Sequence, residues 1–145
     1  MKNGPILLVE DDVDDQEIII EALQTLKVQN EVKTFDNGQK ALDFLKIMDK
    51  QPFLIISDVN LPVMNGLQLK YEIQNNEYLR TKSIPFIFLS TSGDKKAVEE
   101  AFNLQVQGFF VKEISYEGIN RQIKGIIDYW KSCRHPNFKE LSDSW

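Results

Sequence analysis

Cysteine is almost missing from this chain: Cys133 is the one thiol among 145 residues. No internal disulfide can form, no thiolate metal site can be assembled, and such usage fits a reducing cytoplasm. Cys133 itself reads as a bystander. Clustered positive charge is missing too. Lys and Arg number 17 against 22 Asp and Glu, a net charge of −5, and no basic run forms the stripe that nucleic acid requires. No apolar run approaches the roughly 20 residues that span a bilayer. The opening MKNGPILLVEDD ends its short apolar run in acids, with no small-residue cleavage site, so it does not read as a signal peptide. The expectation is a cytoplasmic protein that binds neither nucleic acid nor membrane. Repeats, low-complexity tracts and interior linkers are also lacking, and the length suits one domain with a core of its own.

What the sequence does have is a set of short apolar runs, each closed by turn chemistry. The clearest is FLIISDVNLPVMNG, residues 53–66. Four large apolar residues, Phe53 to Ile56, lead through Ser57 to Asp58, and Leu61-Pro62 and Asn65-Gly66 then signal a loop. Such a run predicts a strand buried on both faces, as in a parallel sheet. Ile6 to Val9 and Pro85 to Leu89 read the same way. Glu31 to Phe35 is of mixed polarity and predicts an edge strand, and Gly108 to Val111 predicts a short fifth strand. Between them, apolar residues recur at helical spacing: Ile18, Ile19, Ala22, Leu23 and Leu26; Ala41, Leu42, Leu45 and Met48; Leu69 and Ile73; Ala97, Val98, Ala101 and Phe102; Ile119, Ile123, Ile126, Ile127 and Trp130. The third of these helices runs out in the polar stretch 75–83. Asp14, Asp15 and Glu17 crowd the first turn of the first helix, where acids complement the helix dipole. Five strands alternating with five helices predict an α/β, doubly wound five-stranded parallel sheet with right-handed crossovers.

The polar residues that end these strands carry the chemistry. Glu10 and Asp11 follow the first strand, Asp58 the third, Ser90 the fourth and Lys112 the fifth. In a parallel sheet these ends share one edge, where open α/β folds hold their ligands. Asp58 alone could be a loop cap; in this company it reads as a site. Carboxylates about 4 Å apart repel by on the order of 4 kcal/mol per pair at an effective dielectric near 20. A cation must offset this, and hard oxygen ligands without His or Cys select Mg²⁺ or Mn²⁺. A metal on Asp11 and Asp58 leaves positions for a phosphoryl group, with Lys112 and the Ser90 hydroxyl to neutralise its oxygens.

VEDD at residues 9–12, SDVNLPVMNG at 57–66, FLSTS at 88–92 and GFFVK at 108–112 resemble the receiver domain of two-component response regulators, and the resemblance runs from about Pro5 to Trp130. It implies a flavodoxin-like fold with strand order 2-1-3-4-5, a receiver domain over residues 1–131 and a short tail over 132–145. It makes Asp58 the phosphoacceptor for a phosphohistidine of a sensor histidine kinase or phosphotransfer protein. Asp11 becomes a direct metal ligand, Glu10 a water-mediated one, and the Asn60 carbonyl the third protein ligand. Ser90 with Thr91 takes the place of the switch hydroxyl, Lys112 that of the family lysine and Phe109 that of the rotating aromatic. Asp12 either joins the acidic pocket or caps the helix. Two departures stand out. Glu113 replaces the proline that usually follows the lysine in a cis peptide, so a trans or strained bond is expected there. Phe109 lacks the hydroxyl of a tyrosine.

The implied function is that of a stand-alone response regulator, similar to those paired with phytochrome-like kinases, whose output is protein binding and not catalysis. Only about fifteen residues follow the last helix, too few for an effector domain by the usual size of domains. The alternatives are a constitutive interaction module whose chemistry has lapsed, for which Glu113 is the sequence support, and a phosphohydrolase working through an aspartyl intermediate. The latter lacks a cap domain and the second acid of an Asp-x-Asp motif, since Asn60 stands where that acid would be. Phe102, Phe109 and Phe110 read as core. His135, beside Pro136, reads as solvated. Tyr129, Trp130, Phe138 and Trp145 carry aromatic weight that could pack the tail or form a homodimer contact.

Overall fold

The computed structural model describes residues 4–136. Five strands form one parallel sheet: β1 (Ile6–Val9), β2 (Val32–Phe35), β3 (Leu54–Ser57), β4 (Phe86–Ser90) and β5 (Gly108–Val111), in the order β2-β1-β3-β4-β5. The expected order is therefore present. Strands β1, β3 and β4 are buried at every residue, whereas β2 and β5 form the edges and are only partly covered. Central strands can be apolar throughout because helices cover both faces of the sheet; edge strands cannot.

Side chains alternate across the sheet with period two. Leu7, Val9, Ile55, Phe86 and Phe88 face one core, with α2 (Gly38–Ile47) and α3 (Gly66–Asn75) packed on it. Ile6, Leu8, Leu54, Ile56, Ile87 and Leu89 face the other, under α1 (Val13–Thr25) and α6 (Tyr116–Ser132). Capping is regular. Asp12, Asn37, Asn65, Asn76, Asp94 and Ser115 each accept a backbone N–H three residues on, so every helix starts from a side chain able to satisfy an otherwise orphaned donor. Asp12 thus proves to be the N-cap of α1, accepting from the Asp15 amide at 3.0 Å.

Three expectations are corrected. Six helices are present among the described residues where five are expected, because the polar stretch after α3 contains the short α4 (Glu77–Arg80), started by Asn76 and anchored by the buried Leu79. Phe102, read as core, lies on the outer side of α5 (Lys95–Asn103) and is 51 % exposed; α5 rests on the sheet through Ala101, a narrow footprint beside an edge strand. His135, read as solvated, is fully buried. Its ring stacks on Phe53 with centroids 4.7 Å apart, meets Trp130 edge-on, and hydrogen-bonds through Nε2 to the Phe53 carbonyl. The chain leaving α6 therefore returns to the N-terminal edge of β3. Phe138 and Trp145 fall outside the described residues.

Candidate functional site

The sheet register carries the site residues to one edge. Val9 pairs with Ser57, Ser57 with Phe88, and Ser90 with Val111, so the residues that follow each strand emerge side by side. Backbone bonds continue the ladder just past the strands: the Asp58 amide donates to the Val9 carbonyl, and the Lys112 amide to the Ser90 carbonyl. Glu10, Asp58 and Lys112 are consequently held at their Cα atoms by the sheet itself.

Asp58 is 8 % exposed. Its Oδ1 accepts from the amides of Val59 at 2.6 Å and Asn60 at 3.3 Å, and its Oδ2 faces Lys112 Nζ at 3.5 Å. The turn behind it is closed by the Gly66 amide, which donates to the Val59 carbonyl at 2.8 Å. Only glycine fits there: a Cβ on Gly66 would lie 2.1 Å from the Asp58 carbonyl oxygen and 2.7 Å from a ring carbon of Phe88. In the same loop Val63 holds a left-handed φ of 64°, uncommon for a β-branched residue.

Lys112 is the cation at the centre. Its Nζ lies 2.6 Å from Glu10 Oε1, 2.9 Å from Asp15 Oδ2 and 3.5 Å from Asp58 Oδ2. Burial on its own would lower the lysine pKa, but the bonds to Glu10 and Asp15, with the charges of Glu10 and Asp58, raise it above its ordinary value. Glu10, 2 % exposed, is pushed up to about 7 by burial; Lys112 opposes this and the neighbouring Asp58 charge adds to it. Three acids, Glu10, Asp15 and Asp58, surround the lysine, and their negative potential favours an added positive charge, whether a proton or a metal ion.

Carboxylate oxygens of Glu10, Asp11 and Asp58 all lie within 4.8 Å of one another, with Asp11 exposed to solvent and the other two buried. The donor set is oxygen alone, which fits a hard divalent cation such as Mg²⁺ or Mn²⁺. Asn60 stands exposed on the adjoining loop. With Ser92 it lines a hollow of about 240 Å³ beside the site, between the loop after β3 and the start of α5.

The structure brings together Glu10, Asp11, Asp58 and Lys112 as expected. Ser90 stands fully buried on the same edge, its hydroxyl oxygen accepting the Ser92 amide at 3.4 Å, and Thr91 follows it on the surface. Phe109 is half-buried, its ring 5.6 Å from that of Phe88 and directed toward the loop after β4, where a methyl group on Gly93 would meet it at 3.5 Å. No cis peptide occurs among the described residues, so the Lys112–Glu113 bond is trans. Glu113 is anchored instead by its amide, which donates to Gln122 on α6.

Asp15 is the residue that sequence reasoning passed over. It sits three residues beyond the N-cap of α1, where an acid is already accounted for by the helix dipole, yet it supplies the second-shortest contact of Lys112. The available signal was positional: the first turn of α1 begins immediately after Glu10 and Asp11, so an acid there can turn back over the strand ends.

Comparison with known proteins agrees with this geometry. The family model described as response regulator receiver domain matches residues 6–124. Response regulator Rcp1 of Synechocystis sp. is 31 % identical over 130 residues, which cover 86 % of this chain and 87 % of that protein. The crystal structure of the phosphorylated cyanobacterial phytochrome response regulator RcpA superposes with a TM-score of 0.85 at 31 % identity, over 92 % of this chain and 99 % of that one. The Mn²⁺-bound form of Rcp1 gives 0.83 at 29 % identity, over the same shares of the two chains. Fold, strand-end chemistry and relatives concur: this chain belongs to the response regulator receiver domain family of two-component signalling.

Proposed function

We propose that the chain is a phosphorylatable switch in which Asp58 accepts a phosphoryl group from a phosphohistidine on a sensor histidine kinase or phosphotransfer protein. One observation carries this: Asp58 Oδ2 lies 3.5 Å from a buried lysine, at the edge of a carboxylate cluster fit for a divalent cation. An Asp58 oxygen forms the bond to phosphorus as the phosphorus–nitrogen bond of the donor breaks and its electrons return to the imidazole. Asp11, Asp58 and the Asn60 carbonyl would hold Mg²⁺ or Mn²⁺ directly, and Glu10 through water. The bound metal supplies neutralisation of the phosphoryl oxygens.

The chain's own groups do the rest. The amides of Val59 and Asn60 fix the carboxylate, and Lys112 balances the charge arriving on the phosphate. Ser90, with Thr91, moves to bond a phosphoryl oxygen. Phe109 then repacks inward and the face formed by α5, β5 and α6 changes, a population shift between two packings. The output is a protein-interaction surface and not turnover of a substrate. The partner kinase is of phytochrome type, since the similar protein RcpA is a phytochrome response regulator, and a homodimer through the aromatic end of α6 is compatible with the exposed Tyr129.

Incubation with Mg²⁺ and a small acyl phosphate labels the wild type. Asp58→Asn takes no label, and label retained in that variant overturns the assignment. A second reading, a constitutive interaction module, draws on one observation: Glu10 and Asp15 hold Lys112 more closely than Asp58 does. Amide shifts near Asp11 during a Mg²⁺ titration separate the two, since a lapsed site gives none.

A further inference from the structure

At the opposite edge of the sheet lies a second buried lysine with different surroundings. Lys70 follows Leu69 on the inner face of α3 and is only 5 % exposed. Its Nζ lies 5.7 Å from the centroid of the Phe86 ring, and among the described residues it has neither a hydrogen bond nor an ion pair. Lys112, buried to the same degree, has three carboxylates. An isolated buried ammonium is disfavoured, and desolvation pulls the Lys70 pKa down accordingly. A stable fold tolerates such a group more readily when something supplies the missing negative charge.

Lys70 also lines a cavity of about 370 Å³. Gln74 from α3, Arg80 from α4, Ser83, Gln105 and Gln107 complete its polar rim, with Ile73, Leu79 and Ile84 as apolar wall. No Asp or Glu lines it, although the chain carries a net charge of −5. Arg80 is exposed and makes one long bond, at 3.4 Å, to the Gln74 carbonyl, so most of its fork of donors is open. Gln107 is committed to the fold: its Oε1 accepts the Phe86 amide at 2.7 Å and its Nε2 donates to the Gln105 carbonyl at 3.2 Å.

We propose that this cavity is a binding site for a small phosphomonoester, with Lys70 and Arg80 neutralising the phosphate and Ile73, Leu79 and Ile84 holding its organic body. Two cations match a dianion. The planar guanidinium suits the tetrahedral oxygens, and the ammonium acts as a point charge beneath them. The volume exceeds that of a bare phosphate ion and falls in the range of small-molecule sites, about 300–1,000 Å³. The site is separate from the acidic pocket. Phe86 pairs with Ile55, three residues before Asp58, so the two lie about 10 Å apart along the strand at roughly 3.3 Å per residue.

The test is a ¹⁵N NMR titration of the whole chain in metal-free buffer with glucose 6-phosphate, inorganic phosphate and malonate. Saturable shifts of the Gln74, Ile84 and Gln107 amides are expected, tightest with glucose 6-phosphate. Lys70→Met weakens binding roughly tenfold or more, a loss of about 1.4 kcal/mol. Arg80→Gln, a surface change that leaves the core intact, provides the same comparison where Lys70→Met fails to fold. Absence of saturable shifts, shifts centred on Ser90 and Lys112 instead, equal binding of malonate, or binding that survives both substitutions would each overturn the proposal.

Discussion

Lys112 Nζ sits 2.6 Å from Glu10 Oε1 and 2.9 Å from Asp15 Oδ2, closer to both than to the proposed phosphoacceptor Asp58 at 3.5 Å. In this state the lysine is parked between a strand-end acid and the first turn of α1. To meet a phosphoryl group on Asp58 it must relax one of those bonds. Asp15 is the partner with the greater solvent access, its side chain 28 % exposed, and so the easier one to release. Asp15→Asn is expected to cost on the order of 1 kcal/mol or less in stability, as for a partly solvated pair. It should speed phosphorylation by a small acyl phosphate, because Lys112 is freed toward Asp58. Lys112→Met strands buried acids and should lose about 3 kcal/mol in the metal-free protein, part of it restored by Mg²⁺. Urea denaturation and phosphorylation kinetics measure both; an Asp15→Asn variant with the wild-type rate would show that the tether does not limit the reaction.

Glu10 gives the fold a pH dependence of definite sign. Its carboxyl moves from 4.5 to about 7 on folding, chiefly through burial. Between those values the folded protein holds a proton that the unfolded chain has released. The contribution to stability is therefore full below pH 4.5 and disappears as pH rises through 7. At about 1.4 kcal/mol per unit it amounts to a few kcal/mol at most. Lys112 shifts upward from 10.5 and stays charged throughout this window, so it adds no slope there. In metal-free buffer the melting temperature of wild type relative to Glu10→Gln should fall between pH 5 and pH 8. Mg²⁺ competes with the same proton, so its apparent affinity should rise with pH across 7. A difference curve that is flat, or that rises with pH, would count against this reading of Glu10.

How much of the fold is legible in the sequence follows from the range of the forces involved. Buried strands announce themselves locally, since Phe53 to Ile56 cannot be apolar throughout unless both faces are covered. The strand-end cluster follows once the strands are parallel, and Glu10, Asp11, Asp58 and Lys112 do meet. Asp15 escaped because an acid in the first helical turn serves the dipole equally well, and only the reach of a lysine 97 residues away decides between the two uses. Helix α4, four residues long, is too short to express a period. Phe102 fits the helical spacing of α5, but spacing cannot reveal that α5 touches the sheet through Ala101 alone of its fully buried residues.

His135 is the corresponding case for long-range packing, since its partner Phe53 is 82 residues distant. Stacking on Phe53, edge contact with Trp130 and a bond to the Phe53 carbonyl make it the clasp between the chain after α6 and the start of β3. His135→Ala removes an aromatic pair, worth about 0.5–1.5 kcal/mol beyond area burial, and one hydrogen bond worth about 1 kcal/mol. A loss near 2 kcal/mol in urea denaturation is expected, with phosphorylation of Asp58 unchanged because the clasp lies at the other edge of the sheet. A variant as stable as wild type would mean that the ring contributes no net packing.

Gly66 makes the opposite prediction, a substitution that changes no charge and nonetheless disables the site. A Cβ there would sit 2.1 Å from the Asp58 carbonyl oxygen, a backbone atom, and 2.7 Å from the ring of Phe88, itself fully buried. Neither neighbour can step aside by a rotamer change. Gly66→Ala must therefore push α3 away from the turn that carries Asp58, breaking the bond from the Gly66 amide to the Val59 carbonyl. Overpacking of this kind costs about 1–3 kcal/mol, and the upper end applies because backbone has to move. The amides of Val59 and Asn60 that hold Asp58 Oδ1 move with the turn. Phosphorylation should thus fall even where the variant remains folded at low temperature. Thermal melting and acyl phosphate labelling of the same preparation check both parts, and a folded Gly66→Ala labelled at the wild-type rate would show that the turn tolerates displacement without disturbing Asp58.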